Sequence, residues 1–420
     1  MLNAWCCLKN NIKRIFMIKI IGIFVFWYPA IMSLAWIVGG VIFYLSNERK
    51  KTLPLNETPM VSVLVPCYNE ENTIADTVEQ LSKIEYPSYE IIVINDGSSD
   101  NTSEVVKGLL EKYDKLRFID LKDNKGKANA LYLGLIASKG EILMGVDSDS
   151  YIMPDALNYI VPHFTNPNNG ERVGAVTGNP RVRNRSSLLA KLQLCEYSTI
   201  ISLIKRTQRI WGKVMTVSGV CVAFRKRALL DCKLWDRDMI TEDIGVTWKL
   251  EKHFWDVRYE PKALSMMLVP ETIKGIYKQR KRWAQGGMEI LRRHKGIFTS
   301  WKTRRMTPVY MEQILSIIWA ICWIFTTVFS VFDIVAGKGF FWQNFMVRNM
   351  FLTSICLVQF ALGMSLDRKY DKNLFRNVFI VVWYPFLYWH LNAFVTLVSI
   401  PSLFKSRKKT ATWDSPDRGL

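Results

Sequence analysis

The sequence predicts an alternating α/β domain carried on α-helical membrane segments. Three observations predict it. Apolar residues gather at the two ends of the chain, in runs long enough to cross a bilayer. Between them, short β-branched runs alternate with helix-period stretches of about ten residues. The polar residues just after those short runs are acidic.

Composition sets the frame. At roughly 150 residues per domain, 420 residues suggest two or three units. With 49% apolar and 22% charged residues, the chain is not a disordered one. The net charge of +19 would suit a nucleic-acid binder. Much of that excess sits beside the apolar runs, where cytoplasmic loops of membrane proteins are basic, so no nucleic-acid partner is expected. Eight cysteines without a C-x-x-C pair, and four histidines, give no zinc pattern and suggest reduced thiols.

The first run covers residues 15–45 and is broken only by Lys19. As a helix, its uncharged part, 20–45, is about 39 Å long, enough to span a core of about 30 Å. Pro29 inside it is tolerable in a membrane helix. The run is too long for a signal peptide, whose apolar region is about 7–15 residues. Residues 1–50 are therefore read as a retained anchor.

Strand-like runs follow at 61–68, 90–95, 116–121, 141–146 and 173–177. Helix-period stretches lie between them at 72–83, 102–113, 127–138 and 154–163. This alternation predicts βαβ units and a mostly parallel sheet covered on both faces, within a domain at 51–270. Ligands of such sheets sit at the carboxyl ends of the strands. Asp96 to Asp100 follows the second strand, Asp147-Ser148-Asp149 follows the fourth, and Thr241-Glu242-Asp243 precedes a helical stretch. The chain has no P-loop and no strand-borne G-x-G-x-x-G, which argues against those nucleotide sites.

Carboxylates at strand ends suit a hard cation, Mg²⁺ or Mn²⁺, which one or two carboxylates share with substrate phosphates. A D-x-D there suggests a diphosphate substrate, against the plainer reading of a solvated acidic turn. A partly buried Asp243 could act as a general base. On spacing alone, the capping of helix 244–252 by 241–243 explains those residues equally well.

Residues 271–313 are basic and amphipathic, which fits a helix at the membrane interface, and they contain Gln279, Arg282 and Trp283 in a Q-x-x-R-W pattern. Arginines there could balance a leaving diphosphate. Three further spans are expected within 314–404, at 314–335, 340–364 and 378–404, followed by a tail at 405–420. Arg348 in the second should face protein or an aqueous path, because a charge at mid-bilayer costs at least ~2.5 kcal/mol. Positive-inside counting places Arg49–Lys51 and 274–305 in the cytoplasm. Lys9, Lys13, Arg14, Lys405, Arg407, Lys408 and Lys409 would prefer that side too. Either the end segments turn back or the termini break the charge rule; one anchor with three later spans is the arrangement adopted.

Taken in order, Asp96 in NDGSSD, the D-x-D of Asp147 and Asp149, the T-E-D at 241–243 and the Q-x-x-R-W at 279–283 resemble the signature set of processive family-2 glycosyltransferases. More narrowly, GKANAL (126–131), IKRTQRI (204–210), LVPET (268–272), KQRKRWAQGG (278–287) and SPDRG (415–419) resemble the poly-β-1,6-N-acetyl-D-glucosamine synthases. The likeness runs from about residue 26 to the end.

That resemblance implies a GT-A fold for the α/β domain and UDP-N-acetylglucosamine as donor. It implies an inverting transfer that lengthens a β-1,6-linked biofilm exopolysaccharide and aids its passage across the bilayer. Residue by residue, Pro66, Tyr68, Asn69 and Glu70 with Asp96 would hold uridine, and Lys127 would lie by the diphosphate. Asp147 and Asp149 would hold Mg²⁺ (or Mn²⁺) and the diphosphate, with Asp149 the metal ligand. Asp243, next to Glu242 at the substrate site, would take the proton from the acceptor's 6-hydroxyl. Ser218 and Gly219 would line the acceptor site, and Gln279, Arg282 and Trp283 would form its diphosphate-side wall. The polymer path would be lined by Arg348 and aromatic residues of the spans.

The family further implies a multi-pass protein of the bacterial inner membrane with its catalytic domain in the cytoplasm. Its partners would be the growing polymer, the lipid bilayer and a small membrane subunit. Cyclic di-GMP activates Gram-negative relatives, and basic residues in 204–213 or 292–305 are the places to look for such control. A chitin- or hyaluronan-like synthase is the near alternative. A non-processive lipid-linked sugar transferase is the further one, and it should lack Q-x-x-R-W.

Overall fold

The structure, a computed structural model, describes residues 2–299, 301–337 and 339–404, with 2–16 and 340 described by backbone alone. The basic tail from Lys405, with SPDRG, lies outside the described residues. The side chains of Lys9, Lys13 and Arg14 do too.

Helix α1 (Leu2–Phe43) runs through Pro29 without interruption and ends in a π turn, Tyr44–Glu48. The α/β domain follows as β1 (Val61–Cys67), α2 (Ile74–Leu81), β2 (Tyr89–Asp96), α3 (Thr102–Leu110), β3 (Leu116–Leu121), α4 (Lys127–Ala137) and β4 (Ile142–Gly145). It continues through β5 (Tyr151–Ile152), α5 (Ala156–Thr165), β6 (Val173–Val182), α6 (Leu188–Glu196), α7 (Ser202–Trp211), β7 (Val222–Arg225) and α8 (Lys226–Asp231). It closes with α9 (Glu242–Lys252) and β8 (Asp256–Met267).

The central strands are buried throughout because helices cover both faces, and successive side chains take opposite ones. Val61, Val63, Val65, Ile91 and Val93 join α2 and α3 in one core. Leu64, Ile92 and Ile94 meet Leu131 and Leu135 of α4 in another.

The eight strands lie in the order β3-β2-β1-β4-β7-β6-β8-β5. Strands β3, β2, β1 and β4 are parallel, but β7 runs against both β4 and β6, and β5 against β8. Strands β6 and β8 are parallel too, so the sheet is mostly parallel as expected and differs only in the reversed β7 and β5. The sequence does not announce β7 or β8: β7 is four residues long, and β8 alternates buried with half-buried positions, so neither forms an apolar run.

Helix α10 (Ile273–Arg293) leads to α11 (Thr307–Val335) and α12 (Phe340–Asp367). A 3₁₀ segment, Leu374–Val382, and a π turn, Pro385–Trp389, precede α13 (His390–Ser399) and α14 (Pro401–Phe404). Among the described residues, four stretches are long and apolar enough to cross a membrane: Met17–Glu48, Trp301–Val335, Phe341–Asp367 and Pro385–Phe404. The last starts later than the expected 378, because 374–382 folds as 3₁₀ turns against α6.

Buried ions lock these spans to the α/β domain. Arg206 of α7 donates to Glu48 at 2.5 Å and to Asp367 at 2.8 Å, and Asp367 also accepts from Arg181 at 2.7 Å. None of the four is more than 7% exposed. The ends of α1 and α12 are therefore held to α7 and β6.

Candidate active site

Strands β1 and β2 progress to one side and β4 lies on the other, so a crevice opens at the carboxyl ends of β1 and β4. This is the usual place for a ligand in such sheets. It is lined by Pro66, Lys127, Asp147, Gly219, Glu242 and Asp243.

The two loops beside it are tied together. Asn69, in a left-handed conformation, donates its N–H to Ser98 and accepts from the Ser99 N–H, each at 2.8 Å. Glu70 is buried and accepts from the Thr73 hydroxyl at 2.6 Å. Gly97 has φ 71°, and a Cβ there would sit 2.6 Å from the Asp123 carbonyl carbon, so only glycine fits the turn. Asp96 is wholly buried; its two oxygens accept from the N–H groups of Lys125 and Gly126, at 3.1 and 2.7 Å. Burial pushes its pKa up while those N–H groups oppose the rise. Asp96 therefore shapes the turn that launches α4.

Lys127, the first residue of α4, donates to Asp147 at 2.5 Å and lies 2.9 Å from Glu242. One ammonium thus joins the D-x-D to the T-E-D. Asp149 is 9% exposed and accepts from the Ser150 hydroxyl at 2.8 Å.

Asp243 stands at the start of α9. Its carboxylate accepts from the Ile244 N–H at 2.9 Å. Burial and then Glu242 push its pKa up to about 6, with Lys127, the Ile244 N–H and Arg282 opposing the rise. A carboxyl poised near neutral pH suits a general base. The capping alternative holds in part, since Asp243 accepts a first-turn N–H. Thr241 makes no side-chain cap bond among the described residues, and Glu242 pairs with Lys127.

Helix α10 is pressed against this segment. A Cβ on Gly286 would lie 1.9 Å from the Thr241 hydroxyl, so the helices can meet this closely only at glycine. Glu289 accepts from the Ile240 N–H at 3.2 Å. The arginines of the Q-x-x-R-W region differ in role. Arg280 is buried, pairs with Glu196 and lies 4.4 Å over the Trp283 ring. It is unavailable to a diphosphate. Arg282 is exposed, and its charge reaches Asp243 and Tyr197. The Gln279 Oε1 is buried without a protein donor among the described residues.

Gly219 lines the crevice, and Ser218 precedes it in the chain. A Cβ on Gly219 would lie 3.2 Å from the Lys127 ammonium. Ser218 accepts from Lys205 at 2.5 Å. On the membrane side of Lys205 is a cavity of about 430 Å³, lined by Tyr28, Trp36, Gln208, Glu312, Trp389 and Lys205 itself. Arg348 does not line it. It lies with Lys19 beside a separate cavity between α1, α11 and α12.

Among the described residues no three His, Cys, Asp or Glu groups converge as a metal site. A divalent cation still fits the hard oxygens of Asp149 and Asp147, since substrate phosphates commonly complete such a sphere.

Residues 59–286 match the model of the family described as "Glycosyltransferase like family 2". The chain belongs to that family. This family-2 glycosyltransferase is 42% identical over 415 residues to a poly-β-1,6-N-acetyl-D-glucosamine synthase of Staphylococcus epidermidis, covering 94% of the chain and 98% of the relative. It is 41% identical over 410 residues to a synthase of the same name from Staphylococcus aureus, with the same coverage. Its fold is GT-A. A mannosyltransferase from Pyrobaculum calidifontis, solved with GDP-Man and Mn²⁺, superposes with a TM-score of 0.56. That match is at 17% identity, over 90% of this chain and 98% of that one.

Sequence reasoning missed Trp235, which lines the crevice, and Lys205, Gln208 and Glu312 on its membrane side. Lys205 and Gln208 lie within IKRTQRI and are three apart, one helical turn, but neither signal assigned them to this site.

Proposed function

We propose that this glycosyltransferase polymerises N-acetylglucosamine from UDP-N-acetylglucosamine into a β-1,6-linked chain and feeds that chain into its membrane bundle. One observation carries the proposal: Asp243 and the Lys127–Asp147 pair face one crevice, in a chain 42% identical to a poly-β-1,6-N-acetyl-D-glucosamine synthase.

The loop at 66–70 and the turn shaped by Asp96 cradle the uridine. Lys127 and Arg282 offset charge on the diphosphate. GT-A enzymes typically bind a divalent cation; here Asp149, with Asp147, would hold Mg²⁺, which would offset charge on the leaving UDP. Asp243 removes the proton of the acceptor's 6-hydroxyl as that oxygen attacks the anomeric carbon. The new C–O bond forms on one face while the bond to the diphosphate breaks on the other, so an α-donor gives a β-link. Trp283, held in place by Arg280, presents a ring for the acceptor sugar to stack on.

The cavity behind Lys205 supplies a route for the polymer, since its aromatic and amide side chains suit a sugar chain. Four spans, with Arg49–Lys51 and the basic stretch 274–305 at their catalytic-domain end, support a cytoplasmic catalytic domain. Exposed apolar residues such as Phe332, Val335 and Met350 leave room for a small membrane subunit. Cyclic di-GMP, if used, would need free cations. Lys205 and Arg206 are buried and Arg209 pairs with Asp256, which leaves a groove lined by Arg172, Lys213, Arg304 and Arg305.

The test uses purified protein with UDP-N-acetylglucosamine and Mg²⁺. Wild type should release UDP and build polymer while Asp243→Asn does neither. Polymer from Asp243→Asn at the wild-type rate would refute the mechanism.

A further inference from the structure

We propose that Lys205 positions the acceptor end of the growing chain by holding the Ser218 hydroxyl at a neck, the place where Gly219 of the catalytic crevice comes next to Lys205 of the membrane-side cavity. The proposal rests on the acceptor role given to Ser218 above.

The dipeptide Ser218–Gly219 has a lysine on each side. Lys127 approaches Gly219 from the diphosphate side, where a Cβ would be 3.2 Å from its nitrogen. Lys205 approaches from the other side and donates to Ser218 at 2.5 Å. Lys205 also reaches Thr177, 3.4 Å away, and Thr177 accepts from the Ser218 N–H at 2.9 Å. Lys205 and Ser218 are therefore held in register by a shared hydroxyl.

The environment of Lys205 is unusual. It is 4% exposed and has no carboxylate within salt-bridge distance among the described residues. A buried ammonium without an ion partner is costly, so a lysine kept only for packing would be better replaced by an apolar side chain. Burial lowers its pKa to about 8, and Cys221 and Asp243 partly counter that.

Its hydrogen bond has a direction with a consequence. An ammonium can only donate, so Ser218 must accept from Lys205. The Ser218 O–H hydrogen is then turned away from Lys205 and is free to be given to a ligand oxygen. One turn along α7, Gln208 donates to Glu312 at 3.0 Å and accepts from the Met215 N–H at 2.9 Å. Lys205 and Gln208 both line the membrane-side cavity. A sugar in the neck would meet the Ser218 hydroxyl first and the Gln208–Glu312 pair next.

If Lys205 seats the acceptor, losing it lets water compete for the donor. Water attack breaks the same bond between the anomeric carbon and the diphosphate, and releases UDP with free N-acetylglucosamine. The experiment measures, in the full-length protein with UDP-N-acetylglucosamine, sugar incorporated per UDP released. Lys205→Met should lower that ratio about tenfold, the scale of one charge-assisted hydrogen bond, and leave the donor KM near wild type. Ser218→Ala should lower it similarly, and the double variant should lower it no further. Lys205→Arg should restore part of it. An unchanged ratio in Lys205→Met, or a loss confined to a higher donor KM, overturns the proposal. Wild type that releases UDP without forming polymer overturns the reading of the site itself.

Discussion

The Lys127 ammonium stands 2.9 Å from a carboxylate oxygen of Glu242. Because the same nitrogen is 2.5 Å from Asp147, one lysine couples the strand-end acids to the segment that carries Asp243. In the proposed mechanism, donor binding and proton removal would be linked through that single charge.

That link predicts a shift in pH dependence. Asp243 must be ionised to act, and its pKa is raised to about 6, so UDP release should fall as pH drops through about 6 rather than near 4. Lys127 is one of the groups holding that value down. Lys127→Met should therefore move the acid limb to higher pH. Rate profiles between about pH 5 and 8 test this; a limb moved to lower pH contradicts it.

Asp243→Asn should separate activity from stability. Turnover should fall by about 10²–10⁴. The folded-state pKa lies above the ordinary 3.8, so the folded protein binds more protons between 3.8 and about 6. Stability from this group is thus present at low pH and lost as pH rises through about 6. At neutral pH the variant should melt no lower than wild type, which thermal unfolding in detergent will show.

Much of this arrangement was legible in the sequence. The acids after β2 and β4 stood out because parallel strands of buried β-branched residues point their ends one way. Asp243 was ambiguous, since a T-E-D before a helix also reads as a cap, and the Lys127–Glu242 pair beside it joins residues far apart in the chain. Strand β8 escaped because its pattern DVRYEPKALSMM alternates with polar residues. Arg280 and Arg282 look interchangeable in the sequence, yet Glu196, far away along the chain, buries one and leaves the other exposed. Lys205 sat in the noted stretch 204–213, but its place beside the site was hidden because its partners, Ser218 and Thr177, come from outside its helix.

Close packing at Gly286 gives another prediction. A methyl group there would overlap Thr241, whose hydroxyl lies 1.9 Å from the Cβ position. Gly286→Ala should push α10 from the base and lower turnover by up to about 10²-fold, the scale of an ångström misplacement. Gly296→Ala, whose Cβ meets nothing nearer than 3.6 Å, should be nearly silent in the same assay.

The ion cluster at the domain–membrane junction should be fragile to single changes. Asp367→Ala takes the ion partner of buried Arg181 and leaves buried Arg206 with Glu48 alone, and should cost about 3–5 kcal/mol. Asp367→Ala combined with Arg181→Met should recover part of that loss, because Arg206 still has Glu48. Chemical unfolding of the two variants in one detergent compares them.

Linkage analysis of the product bears most directly on the central claim. Membranes containing this protein, given labelled UDP-N-acetylglucosamine, should yield a polymer whose internal residues are joined through carbon 6 in the β configuration. A β-1,4 polymer, or a product that stops at one added sugar, would contradict the account.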